Sequence, residues 1–150
     1  MGDDGFGIEV ARAMRKLHLG RGVFVLERQT MDISVLDYAE RASKLVIVDA
    51  VKSGRPPGSV VKFIAGGPRS PVFRVPLSHE QDLYDILILA RKSGMRLPPT
   101  VVVGVEPADC TPGKGLSVEV KGAFPRVLQE ARDEVKECAE RGTDGPVRRS

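Results

Sequence analysis

Three residues of this chain carry side chains that suit a metal ion and occupy positions from which they can face one another. Asp4 lies in the opening Met1-Gly2-Asp3-Asp4-Gly5-Phe6-Gly7, Asp49 follows Leu45-Val46-Ile47-Val48, and His79 stands in Ser78-His79-Glu80-Gln81. Two carboxylates and an imidazole match a borderline divalent ion such as nickel, zinc or iron, and three protein ligands leave coordination positions open. Each residue also has a plainer use. Asp4 can accept backbone N–H bonds at a helix start, Asp49 can brace a loop, and His79 can begin a helix with its ring satisfied. Both readings are open at the level of residue type and spacing.

The opening loop narrows the chemistry. Gly5 and Gly7 can take backbone angles that other residues resist and leave room for a ligand, while Asp3 and Asp4 can cap the following helix or hold a cation. A phosphate at such a glycine turn would meet acidic side chains, so like charge argues against a nucleotide. His18, among Arg15 and Lys16 near the end of the first helical pattern, reads as a solvated residue at the negative end of a helix. Cys138 reads as a core residue of its helix and Cys110 as a loop thiol, and neither has a base nearby in sequence that would mark a nucleophile.

Buried strands and helices must position these groups. Ile8, Val10, Ala11, Met14 and Leu17 recur near the helical period, Gly20-Arg21-Gly22 breaks it, and Val23-Phe24-Val25-Leu26 predicts a strand. A helix is expected from Asp32 to about Ala42. The β-branched run from Leu45 to Val48 then predicts a central parallel strand with Asp49 at its carboxyl end. Ser53 to Gly58 reads as a loop and Val60 to Ile64 as a shorter strand. Ser78 and Gln81 form a capping box for a third helix, whose stripe of His79, Leu83, Leu87 and Ala90 sets His79 in the first turn, with Pro98-Pro99 as its stop. Thr100 to Val105 is another buried strand, Glu106 to about Gly115 a loop, and Phe124 to Arg141 the last helix, with Phe124, Val127, Leu128, Ala131, Val135 and Cys138 on one stripe.

This alternation implies an α/β fold with a mostly parallel sheet between helices, and ligands in such sheets bind beyond the carboxyl ends of the strands. Asp4, Asp49 and His79 can all face that edge. A loop like the opening one normally follows a buried strand, so its place at residue 1 predicts that the chain as given lacks its own first strand. At 150 residues and 41% hydrophobic content, one domain over residues 1–141 is expected, with 142–150 as a frayed tail. The formal charge of +3 comes from 23 basic and 20 acidic residues with no basic run, which disfavours nucleic acid. Two cysteines without CxxC spacing, and no apolar stretch long enough for a signal peptide or membrane span, predict a cytoplasmic setting without membrane insertion.

The order GDDGFG, then Val48-Asp49-Ala50, then Ser78-His79, then Gly104-Val105-Glu106-Pro107 with Gly115-Leu116-Ser117 resembles the hydrogenase maturation endopeptidases over about residues 1–140. The resemblance implies a three-layer sandwich with a five-stranded, mostly parallel sheet. It implies an aspartic-type endopeptidase that removes the carboxyl-terminal extension of a nickel–iron hydrogenase large-subunit precursor. Asp4, Asp49 and His79 would contact nickel already inserted in that precursor, so the metal is carried by the substrate and no permanently bound cofactor is expected. Asp49 and Asp4 would be the catalytic carboxylates, and two routes stay open: the client's ion polarises the scissile carbonyl and a bound water, or Asp49 acts as general base on water because a buried strand end can raise its pKa.

Two departures accompany the likeness. Family members open with an apolar strand and a Gly-Asn turn, both missing here, and Glu27-Arg28-Gln29-Thr30-Met31-Asp32 keeps only Thr30 of a segment rich in glycine and threonine in many members. These departures motivate an alternative: a non-cleaving assembly chaperone, or an accessory subunit of a coenzyme F420-reducing hydrogenase. A flavodoxin-like nucleotide-binding domain rests on fold analogy alone and ranks below both.

Overall fold

The computed structural model describes residues 2–27, 35–65 and 81–143. A short 3-10 turn, Asp3–Gly5, leads into α1 (Phe6–Arg15). There follow α2 (Val35–Arg41), β1 (Leu45–Ala50), β2 (Val60–Ile64), α3 (Gln81–Lys92), β3 (Thr100–Val105) and α4 (Val118–Thr143). The strands form a sheet in the order β1-β3-β2, with β1 parallel and β2 antiparallel to β3.

Among the described residues the strand flanked on both sides is β3, while β1, which the sequence suggests as a central strand, pairs there with β3 alone. A continuous β-branched run reports burial of both faces and carries no information on which strand is flanked on both sides. The two strands share that composition, but Thr100 and Val102 to Val105 are buried, whereas Leu45 to Asp49 are only half-buried and pair with β3 alone among the described residues.

Alternation along β3 splits the core into two layers. Val103 and Val105 face α1 and α4, where they meet Phe6, Val10 and Met14 from α1 and Val120, Ala123, Val127 and Ala131 from α4. Both helices earn their place through stripes at three- and four-residue spacing. The Phe6 and Phe124 rings meet edge to face, 5.9 Å apart at 84°. On the opposite face Val102 packs with Val51 and Val61, and Val35 of α2 and Leu87 of α3 cover Leu45 and Ile47. Removing water from each of these larger side chains contributes about 2 kcal/mol.

Three features differ from the sequence reading, and a fourth, the start of the second helix, lies outside the described residues. Residues 23–26 are not a strand: Arg15 donates to the Val25 carbonyl, Arg12 and Arg15 pair with Glu27, and Phe24 is 81% exposed, so the segment is tied to α1 by charge instead of to a sheet by a ladder. The second helix is Val35–Arg41 among the described residues, and the first residues of the expected span fall outside them. Helix α3 ends before Pro98-Pro99, in a Schellman motif: Gly94 takes φ +88° and donates to Arg91, while the Met95 N–H reaches Ala90. Helix α4 starts at Val118 instead of Phe124 and runs through Pro125.

Candidate functional site

The carboxyl ends of β1 and β3 lie at one edge of the sheet, because the two strands are parallel, and antiparallel β2 starts from that same edge. The connection from β1 to β2 must cross the end of β3 to get there. It is fastened as it crosses: Val51 N–H donates to Val105 O (2.9 Å), Gly58 N–H to Glu106 O (2.8 Å), and Glu106 N–H to Ser59 O (2.8 Å). The Glu106 carboxylate, itself buried, accepts both the Ser53 N–H (2.7 Å) and the Ser53 hydroxyl (2.6 Å) on Oε2. Three loops thus meet at this edge: residues 2–5, 51–59 and 106–117.

Asp49 is half-buried at the end of β1, opposite Gly104 in the register, and its Oδ1 accepts the N–H of Ala50 at 2.8 Å. Alternation places it on the face of Ile47, which α3 helps cover. Asp4 is exposed in the 3-10 turn, and that turn lies against β1. The structure thus brings Asp4 and Asp49 to the same edge of the sheet. His79, with Ser78 of the capping box, lies outside the described residues; among those described, no group of three or more His, Cys, Asp or Glu side chains is arranged to hold a metal.

Neither opening aspartate caps α1, where no side-chain cap bond forms. Nor do the opening glycines serve for unusual angles: Gly5 has φ −79° and Gly7 is not among the positive-φ residues. Gly7 is needed for space. A Cβ there would stand 2.3 Å from the Val48 carbonyl oxygen, so the bare backbone lets α1 seat its first turn on the end of β1.

The two aspartates have different environments. Asp3 is fully buried, and its carboxylate accepts four hydrogen bonds. Ser117 N–H donates to Oδ1 (2.7 Å), while Ala108 N–H (2.7 Å), Asp109 N–H (2.9 Å) and the Ser117 hydroxyl (2.9 Å) donate to Oδ2. Burial acts to push this carboxyl up, but the donors from Asp109, Ser117 and Ala108 outweigh it and hold the group below its ordinary value. The sequence reading took Asp3 as a cap or cation ligand, carried Glu106 only within the Gly104-Val105-Glu106-Pro107 motif, and gave Ser53 no role beyond a loop. One signal was present for Asp3, which continues the inward stripe of Phe6, Val10 and Met14 three residues earlier. Nothing in the motif that holds Glu106 points to its partner, which is 53 residues away in the chain.

Of the remaining candidates, His18 and Cys110 are placed as expected, while Cys138, expected in the core of its helix, lies at the core's margin. His18 and Cys110 are exposed, and Cys138 is half-buried with its Sγ 3.4 Å from the Ser43 hydroxyl.

A family model described as hydrogenase maturation protease matches residues 8–134. The chain belongs to that family. Among curated relatives, the hydrogenase expression/formation protein HoxM of Cupriavidus necator is 24% identical, covering 95% of this chain and 66% of its own length. HupD of Thiocapsa roseopersicina is 28% identical, covering 86% and 60%. The chain therefore spans somewhat under two thirds of these relatives. Among solved structures, the hydrogenase maturating endopeptidase HybD from E. coli superposes with a TM-score of 0.79 at 22% identity, over 91% of this chain and 86% of that one. The hydrogenase 2 maturation peptidase from a Thaumarchaeota archaeon gives 0.61 at 27% identity, over 90% of each. The hydrogenase maturation protease fold is thus an α/β sheet flanked by helices, as the alternation of elements implies. No helix among the described residues is long and apolar enough to cross a membrane.

Proposed function

We propose that this chain is an endopeptidase that removes the carboxyl-terminal extension of a nickel–iron hydrogenase large-subunit precursor once nickel has been inserted. The observation that carries this reading is the family match over residues 8–134, joined to two carboxylates, Asp4 and Asp49, at the strand-end edge where α/β sheets bind their ligands. Asp4, Asp49 and His79 take up open positions on the client's nickel and so test whether its metal centre is complete. The exposure of Asp4 suits a ligand presented on another protein's surface.

The chemistry assigned to this chain is carboxylate work on a peptide bond. Asp49, oriented by the Ala50 N–H, accepts a proton from the attacking water, and the clamped 51–59 and 106–117 loops flank the extended tail. Asp4 anchors the client so that the scissile bond stays within reach of Asp49.

The test is to incubate the protein with nickel-loaded and nickel-free precursor and follow the precursor's mass. Loss of a short carboxyl-terminal peptide from the loaded form alone is the expected result. An unchanged mass with stable co-elution would replace the endopeptidase with a holding protein that binds the client without cutting it.

A further inference from the structure

Asp3 stands next to a proposed nickel contact yet has no access to solvent, and the four donors that its carboxylate takes come from the 106–117 loop. Ala108 and Asp109 open the 106–117 loop and Ser117 closes it, so one carboxylate holds both ends of that loop. The grip extends further at each side. The Ser117 hydroxyl accepts the Val120 N–H in the first turn of α4 (3.3 Å), and the Asp3 N–H donates to the Asp109 carbonyl (2.9 Å). Gly2 fits tightly against the same loop, where a Cβ would come within 2.7 Å of the Asp109 carbonyl oxygen.

We propose that Asp3 is a positioning residue that acts through Asp4: by clipping the opening loop to both ends of the 106–117 loop, it fixes where the Asp4 carboxylate is presented. The inference rests on the endopeptidase reading for its consequence in catalysis. The geometry behind it is separate. With Asp3 locked from one side and Gly7 seated on Val48 from the other, the turn that carries Asp4 has both ends anchored. An aspartate is needed because an asparagine would turn its NH₂ group onto at least one of the backbone N–H donors, whichever way it were flipped.

The experiment compares the full chain with Asp3→Asn, Ser117→Ala, Asp4→Asn and the double variant Asp3→Asn/Asp4→Asn. Amide hydrogen exchange is expected to speed up about tenfold at Asp109 and at Gly5 in Asp3→Asn, while the β3 amides keep their protection. Processing of nickel-loaded precursor should show kcat lowered about tenfold, with Asp4→Asn costing much less in the Asp3→Asn background than alone. A support role confined to α4 would instead leave Gly5 exchange unchanged, or make the two substitutions multiply independently, and either result overturns the proposal. If β3 protection also collapses in Asp3→Asn, Ser117→Ala decides: faster Gly5 exchange supports the clip and unchanged exchange overturns it. If the wild-type chain leaves the precursor uncut, the endopeptidase reading falls while the Gly5 measurement still decides the role of Asp3.

Discussion

At the scale of single residues, the acids at this edge of the sheet divide by what surrounds them. Asp3 and Glu106 are buried and accept from backbone N–H and serine groups, which makes them fasteners of loops. Asp4 is exposed and Asp49 half-buried at a strand end, which leaves them able to meet a client. Asp49→Asn separates base from scaffold, since an amide keeps the size and can still accept the Ala50 N–H but cannot take a proton from water. Processing of loaded precursor by Asp49→Asn is expected to slow by at least about a hundredfold while the precursor still co-elutes with the protein. A wild-type cleavage rate in this variant would remove Asp49 from the mechanism altogether.

At the scale of elements, the readable parts were those whose signal is local. The stripe of α1, the β-branched runs of β1 and β3, the short β2 and the body of α4 could all be found from spacing because each depends on its own residues. What could not be read depends on partners distant in the chain. Residues 23–26 have the composition of a strand but are tied down by Arg12 and Arg15, and the centre of the sheet is decided by pairing. Likewise Asp4 and Asp49 stood out by type and place, while Asp3 and Glu106 matter through loops that close only in the folded chain.

The end of α3 gives a prediction at this scale. Gly94 needs its positive φ and has nothing within 4 Å of a would-be Cβ, so Gly94→Ala should cost about 1 kcal/mol through backbone strain alone. Gly122, exposed inside α4 with equally open space and no positive φ, should respond in the opposite sense. Gly122→Ala is expected to stabilise by about 0.5–1 kcal/mol. Urea midpoints of the two variants should therefore move in opposite directions from wild type, and a shared direction would contradict one of the two helix-position assignments, the variant that moved against its predicted sign showing which.

At the scale of the whole molecule, one buried acid ties the sheet to its longest helix. Glu134 follows Ala131 by three residues on the inward stripe of α4, where an apolar side chain would be expected, and it is only 6% exposed. Lys44, just ahead of β1, and Lys62 of β2 both pair with it, so one carboxylate binds the two strands that flank β3, and Glu130 adds a second contact to Lys62 at 3.3 Å. Burial pushes the Glu134 carboxyl up, but hydrogen bonds and charge from Lys44 and Lys62 outweigh it and leave the folded value below the ordinary one of 4.5. The unfolded chain therefore takes up the proton first as acid is added. The stabilisation from this group is complete above about pH 4.5 and is lost as pH falls through the lower folded value. Glu134→Gln should lower stability at pH 7 by about 1–3 kcal/mol, a figure reduced from that of a fully buried pair because Lys62 is 40% exposed. The same variant should flatten the acid limb of the melting-temperature profile below pH 4.5, bringing its curve toward wild type where Glu134 is protonated in both states. Parallel profiles down to low pH would show that the two lysines do not hold a charged Glu134.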